Sequence, residues 1–262
     1  VDLDGDGFID VVSSCEGETK SIFIHWSPSD PDRLLDAKAW VTEALPAASG
    51  KKQWMYAFAM DVDGKKGIDL VAGSKNQDAQ LGWFESPDDP RDLANWKWHP
   101  LYEAGWLMTL QPVDMDKDGD LDIAVCLSQD SEEILLFRND GGGGFAKEVL
   151  FDSDAEHYGM SGLEPADLDQ DGDTDILFTN GDTLDLEFPK ELDPSDVHGL
   201  SWLENDGAGR FSLHDVIRLW GAYAVRAVDF DGDSDWDLAV STVQTTELFP
   251  ASVTKELVWL VN

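Results

Sequence analysis

One nine-residue pattern, Asp-x-Asp-x-Asp-Gly-x-x-Asp, recurs five times along the 262 residues, with varying fidelity. A fixed internal period restricts the fold more than any local propensity does, because each repeat must then be one structural unit. The copies run through Asp2, Asp4, Asp6 and Asp10; Asp61, Asp63 and Asp69; Asp114, Asp116, Asp118 and Asp122; Asp167, Asp169, Asp171 and Asp175; and Asp229, Asp231, Asp233 and Asp237. Their starts are separated by 59, 53, 53 and 62 residues.

Each period reads as four short strands, here A to D. Strand A precedes the motif (residues 56–60, 108–113 and 222–228) and strand B follows its last Asp (70–72, 123–127, 176–179 and 238–240). Strand C carries an aromatic in most repeats (22–26, 81–84, 134–137, 200–203 and 257–260), and a more polar strand D closes the unit (96–98, 147–151 and 213–217). Continuous apolar runs of this length fit strands covered on both faces, as in sheets stacked side by side. Four strands per period of this size is the blade of a β-propeller. The reading is therefore an all-β chain, one propeller region over residues 1–262 with repeats starting near 2, 54, 106, 158 and 221. The first repeat shows no A and the last no D, eighteen strands in all. That number is not a multiple of four, so the expectation is an incomplete part of a larger ring, about six to eight blades being a more natural closure than five.

Strands C and D are joined by two kinds of turn. Repeats three and four use Asn139-Asp140-Gly141 and Asn205-Asp206-Gly207, which supply positive φ; repeats one and two use Ser27-Pro28 and Ser86-Pro87 followed by Asp-Pro. An Asp-rich A–B loop followed by Asn-Asp-Gly-x-Gly-x-Phe resembles the FG-GAP/VCBS repeat of integrin-α-type propellers and many secreted bacterial proteins. The resemblance extends over essentially the whole chain. It implies Ca²⁺ in the Asp-rich loops and ligand binding on the opposite face.

The loop chemistry supports the same ion. Side chains at positions 1, 3, 5 and 9, with the carbonyl of position 7, offer only hard oxygen donors, which suit Ca²⁺ at about 2.4 Å with six to eight ligands. Gly7, Gly119 and Gly172 at position 6 permit the bend. An EF-hand needs flanking helices and Glu at position 12. Here that position holds Ser13, Val125 and Phe178, and the flanks are β-like. Loops one, three and four are complete, and loop five has Ser234 at position 6. Loop two has Lys65 and Lys66 at positions 5 and 6, so it is expected to bind metal weakly or not at all, with an ammonium in place of the ion.

Charge narrows the partners. With 54 Asp+Glu against 18 Lys+Arg, the formal net charge is −36, which opposes association with nucleic acid or anionic membrane surfaces. It also opposes compaction unless counter-ions bind. No apolar run approaches the roughly 18 residues of a membrane span, so no membrane insertion is expected. Cys15 and Cys126 fall in non-adjacent repeats and read as buried free thiols. The chain opens inside a motif without an initiator Met, so the lack of a leader says nothing about targeting.

Strand order puts A–B and C–D connections at the metal end and B–C and D–A connections at the other, where loops are freer to vary. Trp54, Trp106, Tyr158, Trp220 and Tyr223 stand near the entry of strand A, beside Glu103, Asp154 and Glu156. Flat rings next to acceptors suit a sugar; packing between blades is the competing role. Long B–C insertions, 180–199 and 242–255, each contain Phe-Pro, at Phe188-Pro189 and Phe249-Pro250. The best catalytic constellation is His157, Tyr158, His198 and Arg226, of the kind that abstracts a proton α to a carbonyl. The leading expectation is an extracellular or periplasmic calcium-binding propeller module recognising carbohydrate or an extracellular protein. The alternative is the propeller domain of a carbohydrate-active enzyme, a polysaccharide lyase or sugar dehydratase.

Overall fold

The structure, a computed structural model, describes residues 1–65, 67–76, 78–127, 131–153, 157–182, 197–243 and 257–260. Among them lie eighteen β-strands, and the Asp-rich loops are flanked by strands and not by helices, which removes the EF-hand alternative. Sheet one is β1 (Val11–Cys15), β2 (Ser21–Trp26) and β3 (Val41–Ala44). Sheet two is β4 (Gln53–Met60), β5 (Asp69–Lys75), β6 (Gln80–Glu85) and β7 (Lys97–Glu103). Sheet three is β8 (Leu107–Val113), β9 (Asp122–Leu127), β10 (Glu133–Asn139) and β11 (Phe145–Asp152). Sheet four is β12 (Leu163–Ala166), β13 (Asp175–Thr179), β14 (Gly199–Asn205) and β15 (Phe211–Arg218). Sheet five is β16 (Ala222–Val228), β17 (Asp237–Thr242) and β18 (Leu257–Leu260).

In every sheet each strand pairs with its neighbour in sequence, the up-and-down order of a propeller blade. Where the connection is short, as between β5 and β6, β10 and β11, or β14 and β15, a turn of four or five residues returns the chain antiparallel, and the eight-residue Asp-rich loops do the same. Burial follows the order. The B strands β5, β9 and β13 are buried almost throughout, whereas no residue of the D strands β7, β11 and β15 is buried. That gradient is why B reads as unbroken apolar sequence and D as polar.

The chain divides into two compact units. One comprises Val1–Leu107, Lys117–Asp122 and Phe137–Ala146; the other comprises Met108–Asp116, Ile123–Leu136 and Lys147–Asn262. In the first, Ile22, Ile24 and Trp26 of β2 pack with Trp54, Leu70 and Phe84 of sheet two and with Leu93 and Trp96 of its C–D turn. In the second, Leu177 and Leu200 of sheet four pack with Val225, Leu238 and Val240 of sheet five. Each such aliphatic side chain taken fully from water contributes roughly 1.5–3 kcal/mol, the main term holding neighbouring sheets together. Both cysteines are free. Cys126 is buried on β9, where burial pushes its thiol pKa well up. Cys15, at the end of β1, is half-exposed and not buried as expected, because β1 has a hydrogen-bonded partner on one side only among the described strands.

Candidate metal centres

Each A–B connection is a loop wound around its first aspartate. In loop one, Asp2 Oδ1 accepts the N–H of Gly5 (2.9 Å) and of Asp6 (3.1 Å), and Oδ2 accepts that of Gly7 (2.9 Å). Asp4 Oδ1 accepts the N–H of Asp6 and Asp6 Oδ1 that of Phe8. Loop five repeats this, with Gly232 and Ser234 donating to Asp229 at 2.6 and 3.1 Å. The winding needs the left-handed region twice, at positions 4 and 6: φ is +61° and +100° at Gln170 and Gly172, and +81° and +80° at Gly232 and Ser234. Sequence reading identified position 6 only.

The result is a cage of carboxylates. At Asp2/Asp4/Asp6, Asp114/Asp116/Asp118 and Asp167/Asp169/Asp171, ligand oxygens of positions 1, 3 and 5 lie within 4.8 Å of one another. At Asp61/Asp63/Asp69 and Asp229/Asp231/Asp237 the converging oxygens come from positions 1, 3 and 9. Two carboxylates at such a distance repel by about 4 kcal/mol at an effective dielectric near 20, and an all-oxygen set of this kind is what a hard divalent cation neutralises. Asp167 Oδ1 is buried and accepts no hydrogen bond from the described residues. The donor sets therefore fit Ca²⁺.

Position 9 has a second job that spacing does not reveal. Asp10, Asp69, Asp122, Asp175 and Asp237 are each no more than 3% exposed. In loop four, Asp175 Oδ2 accepts the N–H of Leu168 at 3.0 Å and Oδ1 that of Asn205 at 2.8 Å. Asp10 does the same with Leu3 (3.0 Å) and Ser27 (2.9 Å), and Asp69 with Val62 (3.0 Å) and Ser86 (2.8 Å). Asp122 accepts from Asn139 and Asp237 from Phe230. One buried carboxylate thus staples position 2 of its loop to the start of the C–D turn. Burial raises the pKa of Asp69 to about 6 and raises that of Asp175, against the lowering effect of the two backbone donors.

Loop two is closed by a side chain. Lys65 Nζ lies 2.6 Å from Asp63 Oδ2 and 3.0 Å from Glu85 Oε1, which raises its pKa above the usual lysine range. The ammonium stands where the sequence placed it; Lys66 lies outside the described residues. Loops four and five touch: Trp236 Nε1 donates to Asp167 O (2.7 Å) and Gln170 Nε2 to Ser234 O (2.8 Å). Ser234 carries a Cβ in a left-handed conformation that glycine adopts freely. Ser234→Gly is expected to stabilise the chain by about 1 kcal/mol, read as a higher urea midpoint at unchanged slope.

The expected recognition residues fare unevenly. Trp54 is a correction: it is 1% exposed, donates from Nε1 to Ala48 O, and packs on Phe84 and Trp98, so no face is open to a ligand. A register shift between Trp54 and Tyr56 on β4 accompanies this inward setting. Trp106, Tyr158, Trp220 and Tyr223 are half-buried. Lys75 Nζ sits 5.0 Å from the Trp106 ring and pairs with Glu16. Burial, and secondarily Glu132, raise the Tyr158 pKa.

Of the four residues of the catalytic constellation, Tyr158 is half-buried and the other three have defined partners. His157 is buried, with Nε2 3.1 Å from Asp215 and its ring edge-on to Phe151. His198 is fully buried; its Nδ1 accepts the N–H of Gly221, and desolvation lowers its pKa to about 4, leaving it neutral. Arg226 pairs with Glu164 at 3.0 Å. His157 lies in the β11–β12 connection, His198 directly before β14 and Arg226 on β16, and both imidazoles are shielded from water. Asp154, Glu156 and both Phe-Pro pairs lie outside the described residues, as do most of the two insertions.

The profile of the FG-GAP-like repeat matches residues 114–178, which span loop three, sheet three and the start of sheet four. Among curated proteins none matches the chain significantly. Among solved structures, Bombyx mori GH32 beta-fructofuranosidase BmSUC1 is similar, at 14% identity and a TM-score of 0.42, over 87% of this chain. The match spans 54% of that protein, about half its length. No helix among the described residues is long and apolar enough to cross a membrane. One segment thus matches the FG-GAP-like repeat directly, and the same Asp-rich loop and up-and-down strand order recur along the rest of the described residues.

Proposed function

We propose that the chain is an extracellular calcium-binding propeller module whose blades recognise carbohydrate or an extracellular protein. The observation that carries the calcium part is the convergence of three carboxylates within 4.8 Å in successive A–B loops, with Asp167 Oδ1 buried and without a hydrogen-bond donor among the described residues. Asp2, Asp4 and Asp6, Asp114, Asp116 and Asp118, Asp167, Asp169 and Asp171, and Asp229, Asp231 and Asp237 would hold the ions, with Asp10, Asp122 and Asp175 bracing the first three of these cages. The bound ion supplies charge neutralisation and rigidity, not chemistry. A large negative charge favours this reading over nucleic acid binding or membrane insertion.

The recognition part rests on the other ends of the sheets. There the D–A connections carry Trp106, Tyr158 and Trp220, half-buried rings of the kind that stack on the C–H face of a sugar or seat a partner's side chain. Tyr223, at a register shift in β16, lies beside them in sequence. Calorimetric titration of the chelator-stripped chain with Ca²⁺, then a glycan array with Trp106→Ala and Trp220→Ala controls, tests both parts. Ca²⁺ uptake with a glycan signal lost in either variant is the expected result. No uptake removes the calcium reading, and a signal that survives both substitutions removes the aromatic face.

A further inference from the structure

We infer that loops four and five take up Ca²⁺ as a coupled pair, each filled loop raising the affinity of the other through side chains that bridge them. This rests on the calcium reading above and concerns how two of its sites act on one another. The first bridge starts in loop five, where Trp236 Nε1 donates to the main-chain oxygen of Asp167 at 2.7 Å. Trp236 directly precedes Asp237, whose carboxylate belongs to cage five, and Asp167 is the position-1 residue of cage four. The second bridge starts in loop four, where Gln170 Nε2 donates to the main-chain oxygen of Ser234 at 2.8 Å. Gln170 stands between Asp169 and Asp171 of cage four, and the N–H of Ser234 donates to Asp229 Oδ2 of cage five at 3.1 Å.

The bridging residues stand where these loops depart from the motif. At position 8, where loop five has Trp236, the other loops have Ile9, Ile68, Leu121 and Thr174, whose side chains carry no N–H. At position 4, loops one, two and five have Gly5, Gly64 and Gly232, loop three has Lys117, and loop four has Gln170 at φ +61°. Ser234 replaces the position-6 glycine of loops one, three and four and is held at φ +80°. A side chain is disfavoured in the left-handed region, so a residue kept there in place of glycine calls for a compensating contact. Gln170 has that contact in the carbonyl of Ser234.

Coupling follows because both bridges are attached to main chain that the ion orders. Without an ion the carboxylates of a cage repel one another; an ion draws them in and fixes the backbone that carries them. With loop four filled, the Asp167 carbonyl is fixed, and the indole held on it places the backbone beside Asp237. With loop five filled, the Ser234 carbonyl is fixed and holds Gln170, and with it the chain between Asp169 and Asp171. Each ion then has less ordering left to impose on its own loop, which is positive cooperativity, and linkage makes it reciprocal. The Trp236 bond is half-buried and the Gln170 bond is exposed, so the indole carries the larger share. Long-range electrostatics acts in the opposite sense, since an ion in one cage reduces the negative charge that attracts the next, but physiological salt screens it over about 8 Å.

Hydrogen exchange on the full chain reads the two loops separately. Protection over residues 163–179 and over residues 222–242 is followed as Ca²⁺ is added to chelator-stripped protein at physiological salt. In wild type the two segments are expected to gain protection at one shared midpoint. Asp231→Ala disables loop five, and the loop-four midpoint is expected to rise about fivefold or more. Trp236→Phe and Gln170→Ala remove the bridging donors and leave the loop carboxylates in place. In a chain carrying both, Asp231→Ala is expected to move the loop-four midpoint by less than about twofold, below the usual range of a coupled pair. Gln170 is exposed, so Gln170→Ala alone carries the test if Trp236→Phe does not fold, with a smaller but definite reduction of the rise expected. A loop-four midpoint that ignores Asp231→Ala overturns the inference. A rise that is equally large without the bridges also overturns it, since the loss of a nearby charge then accounts for the whole effect. No protection by Ca²⁺ in either segment overturns instead the calcium reading beneath it.

Discussion

Removing Ca²⁺ is expected to cost the chain about 3 kcal/mol for each loop emptied, the free energy that a site at 100-fold excess of ion over its Kd contributes. The four loops proposed to hold ions, at about 2.7 kcal/mol each, then account for about 11 kcal/mol, comparable with the whole stability of an ordinary domain. The sign follows from the charge. A chain with net charge −36 gathers carboxylates into cages that repel when bare, so folding and metal uptake are one equilibrium. Urea unfolding in millimolar Ca²⁺ and in chelator reads the difference as a shift in midpoint. High salt in chelator recovers only part of it, because diffuse screening acts on exposed charges more than on a cage holding a buried oxygen such as Asp167 Oδ1. Equal midpoints in the two buffers would show that the loops fold on their internal hydrogen bonds alone.

The strand order was legible because the motif is periodic and each apolar run is bounded by turn residues. All eighteen expected strands are present, and most differ from expectation only at their ends, where hydrogen bonding carries the strand past its apolar residues. Residue facing was not legible on the A strands. The register shifts between Trp54 and Tyr56 and between Ala222 and Ala224 break the two-residue alternation, and a one-residue slip turns a side chain to the opposite face. Trp54 consequently went from expected ligand platform to core. The burial of His157 and His198 was not legible for a related reason. Nothing near them in sequence shows that Asp215, Phe151 and Gly221 enclose them.

The metal cages were legible in composition but not in division of labour. Four aspartates in one motif read as four equal ligands, whereas position 9 is set apart by a partner that lies beyond the motif. One signal was present: Asp10 and Ser27, Asp69 and Ser86, and Asp122 and Asn139 are each separated by 17 residues. A constant offset between a motif acid and a turn residue marks a contact, since insertions elsewhere in the repeat leave it unchanged. Arg91 gave no comparable signal, as its partner Asp4 is 87 residues away.

That division of labour gives a sharp contrast between two aspartates of one loop. Asp175→Ala is expected to destabilise the chain by about 3 kcal/mol, because it strands the N–H groups of Leu168 and Asn205, each a donor to a charged acceptor worth about 1.5–3 kcal/mol. The lower part of the summed range is appropriate, since burial already penalises the Asp175 charge, raising its pKa and offsetting part of what the two donors contribute. The loss is expected with or without Ca²⁺, in the same direction and at similar size. Asp167→Ala behaves otherwise: it lowers the midpoint in Ca²⁺, where a ligand is lost, and changes it little in chelator, where relief of repulsion within the cage offsets the lost contact to Gly172. Asp175→Asn, which keeps one acceptor, falls between wild type and the alanine variant. If Asp175→Ala instead tracks Asp167→Ala in both buffers, position 9 acts only through the ion, and the loop and the following turn are joined by the metal and not by a carboxylate.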